Sequence, residues 1–105
     1  MIIVTGHIRL AAKDMERARP HMRTNLEATR KEKGCQLYAY GEDVLDPGLI
    51  RIVERWDDWA SLDAHGHTLH IKAWGAFTKE IGLLERDLWA HEGINGKKIQ
   101  FAVGT

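Results

Sequence analysis

A chain of 105 residues has room for one domain, and 44% hydrophobic with 29% charged residues makes that domain globular. Fifteen acidic residues balance fifteen basic ones, which argues against the net basic face that a nucleic-acid surface needs. Cys35 is the single cysteine, so an intrachain disulfide and a thiolate metal cluster are excluded and a reducing, cytoplasmic setting fits. The start, MIIVTGHIRL, is too short and interrupted for a signal peptide, and no run approaches the ~20 apolar residues of a membrane span.

Residues 2–10 open with Ile-Ile-Val-Thr, a strand signal. Asp14 is a candidate cap for the helix that follows, with Pro20 in its first turn or marking a kink. From Pro20 onward Met22, Leu26 and Thr29 recur at helical spacing, and Gly34 ends the helix. Residues 35–42 form a second strand with Tyr38 and Tyr40 on one face and Leu37 and Ala39 on the other. Asp46-Pro47-Gly48 is a turn, and the third strand covers residues 49–56, with Ile50, Ile52, Glu54 and Trp56 alternating against Leu49, Arg51, Val53 and Arg55. A short helix over 57–66, capped by Asp57 or Asp58, is interrupted by Gly66. A longer one runs from Thr68 to about Ile81, with Leu69, Ala73, Trp74, Phe77 and Ile81 inward, and Gly82 ends it. A fourth strand spans about 83–92, and Asn95-Gly96 turns into a short tail strand, Lys98 to Val103.

This order is β-α-β-β-α-β, the ferredoxin-like α+β fold, an antiparallel sheet with helices on one face. The other face carries too many large side chains for a plain wet surface, so a second copy of the chain is expected to cover it, giving a homodimer.

Three of the six histidines, His65, His67 and His70, fall within six residues beside Trp56, Trp59 and Trp74. Their spacing matches neither His-Glu-x-x-His nor an i, i+4 pair, so they read as helix-terminal and surface histidines rather than a metal site. Cys35 reads as a small core residue, Ser61 has no nucleophile-elbow context, and the glycines form no phosphate loop. What remains is a set of aromatic side chains with one or two imidazoles. Trp56, Trp74, Phe77 and Trp89 read either as core or as walls of a pocket for a planar, apolar ligand. His65, where two helical pieces meet, can have one ring nitrogen held by a backbone carbonyl and the other free for that ligand.

Lys33-Gly34-Cys35 with Tyr38, the turn at Asp46-Pro47, Glu54-x-Trp56 and Leu62-x-x-His65-x-x-Thr68-x-x-Ile71 together resemble the antibiotic-biosynthesis monooxygenase family. The resemblance runs over nearly the whole chain and most strongly over 33–71. It implies a dimeric α/β barrel, and an enzyme that oxidises a phenolic or quinol-like molecule with O2 without metal, flavin or haem as cofactor. An electron-rich phenolate can reduce oxygen itself once the protein has deprotonated it, held it and excluded water. On this resemblance His65 is the candidate catalytic base. Trp56, Trp74, Phe77, Tyr38, Tyr40, His7 and His70 are the candidate substrate-binding residues. Relatives that monooxygenate carry an asparagine–tryptophan–tyrosine–arginine group, and with Asn25 on the first helix and Asn95 in a turn no such set is read here. A sister branch degrades haem with an asparagine on strand one, where this chain has His7; other members are non-catalytic binding or stress-response proteins.

Overall fold

A computed structural model describes residues 1–100. Strand β1 (Ile2–Arg9) leads through a 3-10 turn into helix α1 (Met15–Thr29), then β2 (Cys35–Glu42), β3 (Leu49–Trp56), α2 (Trp59–Gly66), α3 (Leu69–Ile81) and β4 (Glu85–Glu92). The sheet order is β2-β3-β1-β4, with every neighbouring pair antiparallel. This is the ferredoxin-like α+β arrangement.

Alternation along the strands divides the sheet into two faces. Ile2, Val4 and Ile8 of β1 and Ile50, Ile52, Glu54 and Trp56 of β3 are buried beneath the helices. Register places Ile8 opposite Ile50 and Ile2 opposite Trp56, so large apolar groups from adjacent strands meet on that face. The core divides into two clusters. One joins Ile8, Leu10, Met22, Ile50 and Ile52 to Trp74 and Phe77; the other joins Ile2 and Val4 to Tyr38 and Trp56.

Local signals set most element ends. The Asp58 carboxylate accepts a hydrogen bond from the Ser61 backbone N–H at 2.8 Å and starts α2. The Thr68 hydroxyl accepts from Ile71 N–H and starts α3, and Gly82 ends that helix in the left-handed region at φ 95°. Helix α1 differs from expectation. It begins at Met15, so Pro20 lies in its interior, and Asp14 makes no side-chain capping bond. Burial of Met15 and Ala18 holds this early turn against the sheet, while the exposed Pro20 leaves the carbonyl one turn back to water. The phase of α3 also differs. Trp74, Phe77 and Thr78 are buried, but Leu69 is 85% exposed and Ala73 is exposed as well. Thr68 fixes the start of the helix, and with it the rotation that sends Ile71 inward in place of Leu69.

The second sheet face carries Thr5, His7 and Arg9 of β1, Arg51, Val53 and Arg55 of β3, and Asp87, Trp89 and His91 of β4. Trp89 stands here, 64% exposed, and is not part of the core. Residues 96–100 carry no strand, and the rest of the tail strand expected at Lys98 to Val103 lies outside the described residues. Among the described residues no helix is long and apolar enough to cross a membrane.

Gly6 is a tightly packed backbone position in the sheet. Its φ is 150°, and a Cβ built there would stand 1.9 Å from the Asp87 carbonyl oxygen of β4. Gly6→Ala is expected to destabilise the protein by about 3 kcal/mol, through strain and loss of the β1–β4 ladder. Urea unfolding checks this, and a midpoint within error of wild type would contradict it.

Candidate functional site

A cavity of about 490 Å³ opens between the sheet and helices α2 and α3. Its walls draw on both core clusters: Val4, Tyr38, Ile8, Ile52 and Trp74 contribute, together with Tyr40, Glu54, His65 and Arg86. The volume lies within the range of small-molecule sites.

His65 sits in the last turn of α2 and is 5% exposed. Its ring packs 4.8 Å from Trp56 and 5.2 Å, edge-on, from Tyr38. Nδ1 lies 2.8 Å from Glu32 Oε2, and His70 Nε2 lies 2.7 Å from the same oxygen. An ionised carboxylate only accepts, so both rings donate to it. A neutral His65 carrying its proton on Nδ1 has its lone pair on Nε2. Nε2 has no hydrogen-bond partner among the described residues, and since no buried polar side-chain atom there is left unpaired, it keeps some accessible surface on a residue that lines the cavity. The holder of the ring is thus the Glu32 carboxylate and not a backbone carbonyl.

A second polar group lies deeper. The Tyr38 and Tyr40 hydroxyls are 2.8 Å apart, and the Asn25 side-chain amide donates to both at 3.3 Å. The Thr29 hydroxyl donates to the Asn25 oxygen at 3.4 Å. Burial pushes the Tyr38 hydroxyl far above its ordinary range and that of Tyr40 up to about 12, so both remain protonated donors. Asn25, placed by the sequence only on the first helix, therefore braces the pocket tyrosines. Tyr38, Tyr40, Trp74 and Arg86 do line one cavity, with Asn25 behind the tyrosines, a grouping that the linear order does not display.

Glu54 is a third element, 5% exposed and part of the cavity wall. Its Oε1 accepts from Trp56 Nε1 at 2.9 Å, which explains the Glu-x-Trp spacing, since residues two apart on a strand share a face. Burial raises its carboxyl above the usual range, opposed by the Trp56 hydrogen bond and by His65.

The remaining sequence candidates fall in different places. Trp56 is fully buried and backs His65 without lining the cavity. Phe77 stacks 5.9 Å from Trp74 on one side and 3.8 Å from His21 on the other, outside the cavity lining. His70 reaches Glu32 and does not line the cavity. His7, expected to face the pocket, lies on the opposite sheet face, where Nε2 meets Glu85 Oε2 at 3.0 Å. The single pleat step from Ile8 to His7 accounts for this. His67, grouped by sequence with His65 and His70, points to solvent with a 73% exposed side chain. Cys35 stays a thiol, its pKa raised by burial. Glu32 was missed altogether. It lies 33 and 38 positions from its two partners, and the one hint was its place just before Lys33-Gly34-Cys35.

The fold and the site define a ferredoxin-like α+β domain with an aromatic-walled cavity served by one oriented imidazole. Residues 1–76 match the family described as antibiotic biosynthesis monooxygenase, and the chain belongs to that family. Among solved structures, a Deinococcus radiodurans protein named for the same family shares 26% identity at a TM-score of 0.87, covering 95% of this chain and 99% of its own. Rv0793 from Mycobacterium tuberculosis shares 20% identity at a TM-score of 0.80, over 92% and 98% of the two chains. A conserved Methanosarcina mazei protein shares 23% at 0.73, over 86% and 87%. The latter two similarities speak for the fold alone. Comparison with curated proteins finds no match.

The Glu54 environment sets a pH dependence. An acid with its folded pKa above its unfolded value holds more protons when folded, so stability falls as pH rises from about 4.5 through the folded pKa. Glu54→Gln retains the acceptor for Trp56 and removes the charge. Its melting temperature is expected to exceed that of wild type at about pH 7, with the gap closing towards about pH 4. A gap that does not change with pH would reject the assignment.

Proposed function

We propose that this chain is a cofactor-independent monooxygenase of a phenolic or quinol-like aromatic molecule. The observation that carries the reading is His65, a lining residue of an aromatic-walled cavity with its Nδ1 held at 2.8 Å by Glu32 and its Nε2 without a hydrogen-bond partner among the described residues. Membership of a family described as monooxygenases supports it.

In this reading a planar substrate lies against Trp74 and the aliphatic wall, its hydroxyl towards His65. Nε2 accepts the phenolic proton, and Glu32 steadies the resulting imidazolium through Nδ1–H. The Tyr40 hydroxyl, itself braced by Tyr38 and Asn25, donates to a substrate oxygen. The phenolate passes an electron to O2, and the two radicals join at a ring carbon. Loss of water leaves the quinone with one oxygen atom from O2 while the other departs as water. A hydroquinone thus becomes a hydroxyquinone and needs no outside reductant.

Oxygen uptake and product mass are measured on chelator-treated protein with a hydroquinone panel. Turnover with one 18O atom incorporated from 18O2 is expected. Ligand binding by calorimetry with no product would instead favour a non-catalytic binding protein. A Soret band with haemin that decays under reductant would favour haem degradation. His65→Ala is expected to lower kcat at least 100-fold, the scale of a lost general base; unchanged turnover removes His65 from the role.

We also propose that a second copy covers the open sheet face, where Trp89 and Val53 are 64% and 37% exposed beside Ile3 and Leu37. Sedimentation is expected to give twice the 12.0 kDa chain mass, and Val53→Asp with Trp89→Glu is expected to give single chains. A wild-type particle of one chain at working concentration refutes this.

A further inference from the structure

The cluster that orients His65 has the composition of a metal site. We infer that Glu32, His65 and His70 bind a divalent transition-metal cation of the zinc type, and that its binding switches His65 off as a base. The second half rests on the proposed monooxygenase reading; the first does not.

Glu32 Oε2, His65 Nδ1 and His70 Nε2 lie within 4.8 Å of one another. They come from the loop after α1, the end of α2 and the first turn of α3, so three separate backbone anchors aim one ligand atom each at one point. Two imidazoles and one carboxylate suit zinc, cobalt or nickel and not the all-oxygen shells of magnesium or calcium. Ligands around a tetrahedral cation with bonds of about 2.0–2.1 Å stand roughly 3.3 Å apart. The two separations from Glu32, 2.7 and 2.8 Å, open by about half an ångström, and the two imidazole nitrogens, within 4.8 Å of each other, settle to the same spacing. The site is partly shielded and still reachable. The His65 side chain is 7% exposed, Glu32 13% and His70 20%, so a cation enters from the His70 side. Three protein ligands leave a fourth position for water.

The switch follows from proton bookkeeping within one ring. Without a cation, Nδ1–H donates to Glu32 and the lone pair sits on Nε2, towards the cavity. A cation on Nδ1 needs that lone pair, and a neutral imidazole has one N–H, so the proton moves to Nε2. Nε2 then donates and cannot accept a phenolic proton. No proton is gained or lost by His65 in the exchange; the cation has reversed which end of the ring is basic.

The experiment uses the full chain after chelator treatment. Co²⁺ is titrated by calorimetry and visible absorption, and Zn²⁺ is then added for long-range ¹H–¹⁵N NMR of the histidine rings. One cation per chain is expected, with His70→Ala and Glu32→Gln each weakening binding at least tenfold. His67→Ala, at an exposed position outside the cluster, is expected to leave binding unchanged. His65 is expected to change from the Nδ1–H to the Nε2–H tautomer on zinc loading. Absence of binding, or binding indifferent to both His70→Ala and Glu32→Gln, overturns the site, and an unchanged tautomer overturns the switch. Thermal unfolding of each variant shows that it is folded, with His70→Ala at the rim as the milder change. These readouts do not need turnover, so a protein that oxidises no quinol would defeat the monooxygenase reading and leave the cation site to be judged by its own data.

Discussion

One oxygen of Glu32 ties together the cavity end of this molecule. It accepts from His65 at 2.8 Å and from His70 at 2.7 Å, joining the loop after α1 to the end of α2 and the start of α3. Hydrogen bonds to a partly buried carboxylate contribute about 1.5–3 kcal/mol each, more than neutral ones, because the charge strengthens them. Removing the carboxylate would leave two imidazole N–H groups competing for water they hardly reach. The same contact leaves Nε2 as the unpaired ring nitrogen of His65, so a structural tie and a chemical property share one atom.

The cavity survives because its walls are stiff. Trp56 is pinned by Glu54, the Tyr38 and Tyr40 hydroxyls by each other and by Asn25, and α3 by the Thr68 cap. Buried polar groups that are fully paired rigidify their surroundings, and no buried unpaired polar side-chain atom occurs among the described residues. Two apolar clusters meet around this polar framework without closing over it. The result is a hollow where a small domain would ordinarily place more core.

The opposite sheet face is built on other terms. Arg9 is held by Asp46 at 2.8 Å and by Glu85 at 2.9 Å, and His7 meets the same Glu85. Past these charged groups, flanking Thr5 on either side, stand Val53 and Trp89. In the proposed pair of chains, such a mixture of paired charge and exposed aromatic surface supplies both energy and register.

The sequence by itself determined the element order, the sheet type and the ends marked by Thr68, Gly66 and Gly82, and narrowed the cap of α2 to Asp57 or Asp58, because alternation, helical spacing and capping are local properties of neighbouring residues. It also singled out His65, through its place between two helical pieces, and the tyrosine face of β2. The tertiary structure alone decided that Glu32 is the partner of His65, that Asn25 braces the tyrosines, that His7 stands on the far side of the sheet, and that Trp89 on edge strand β4 is largely exposed while also bordering the cavity. The physical reason is range. Which face of a strand is covered, and which carboxylate from 33 positions away meets an imidazole, depends on how elements pack, and that information is spread over the whole chain.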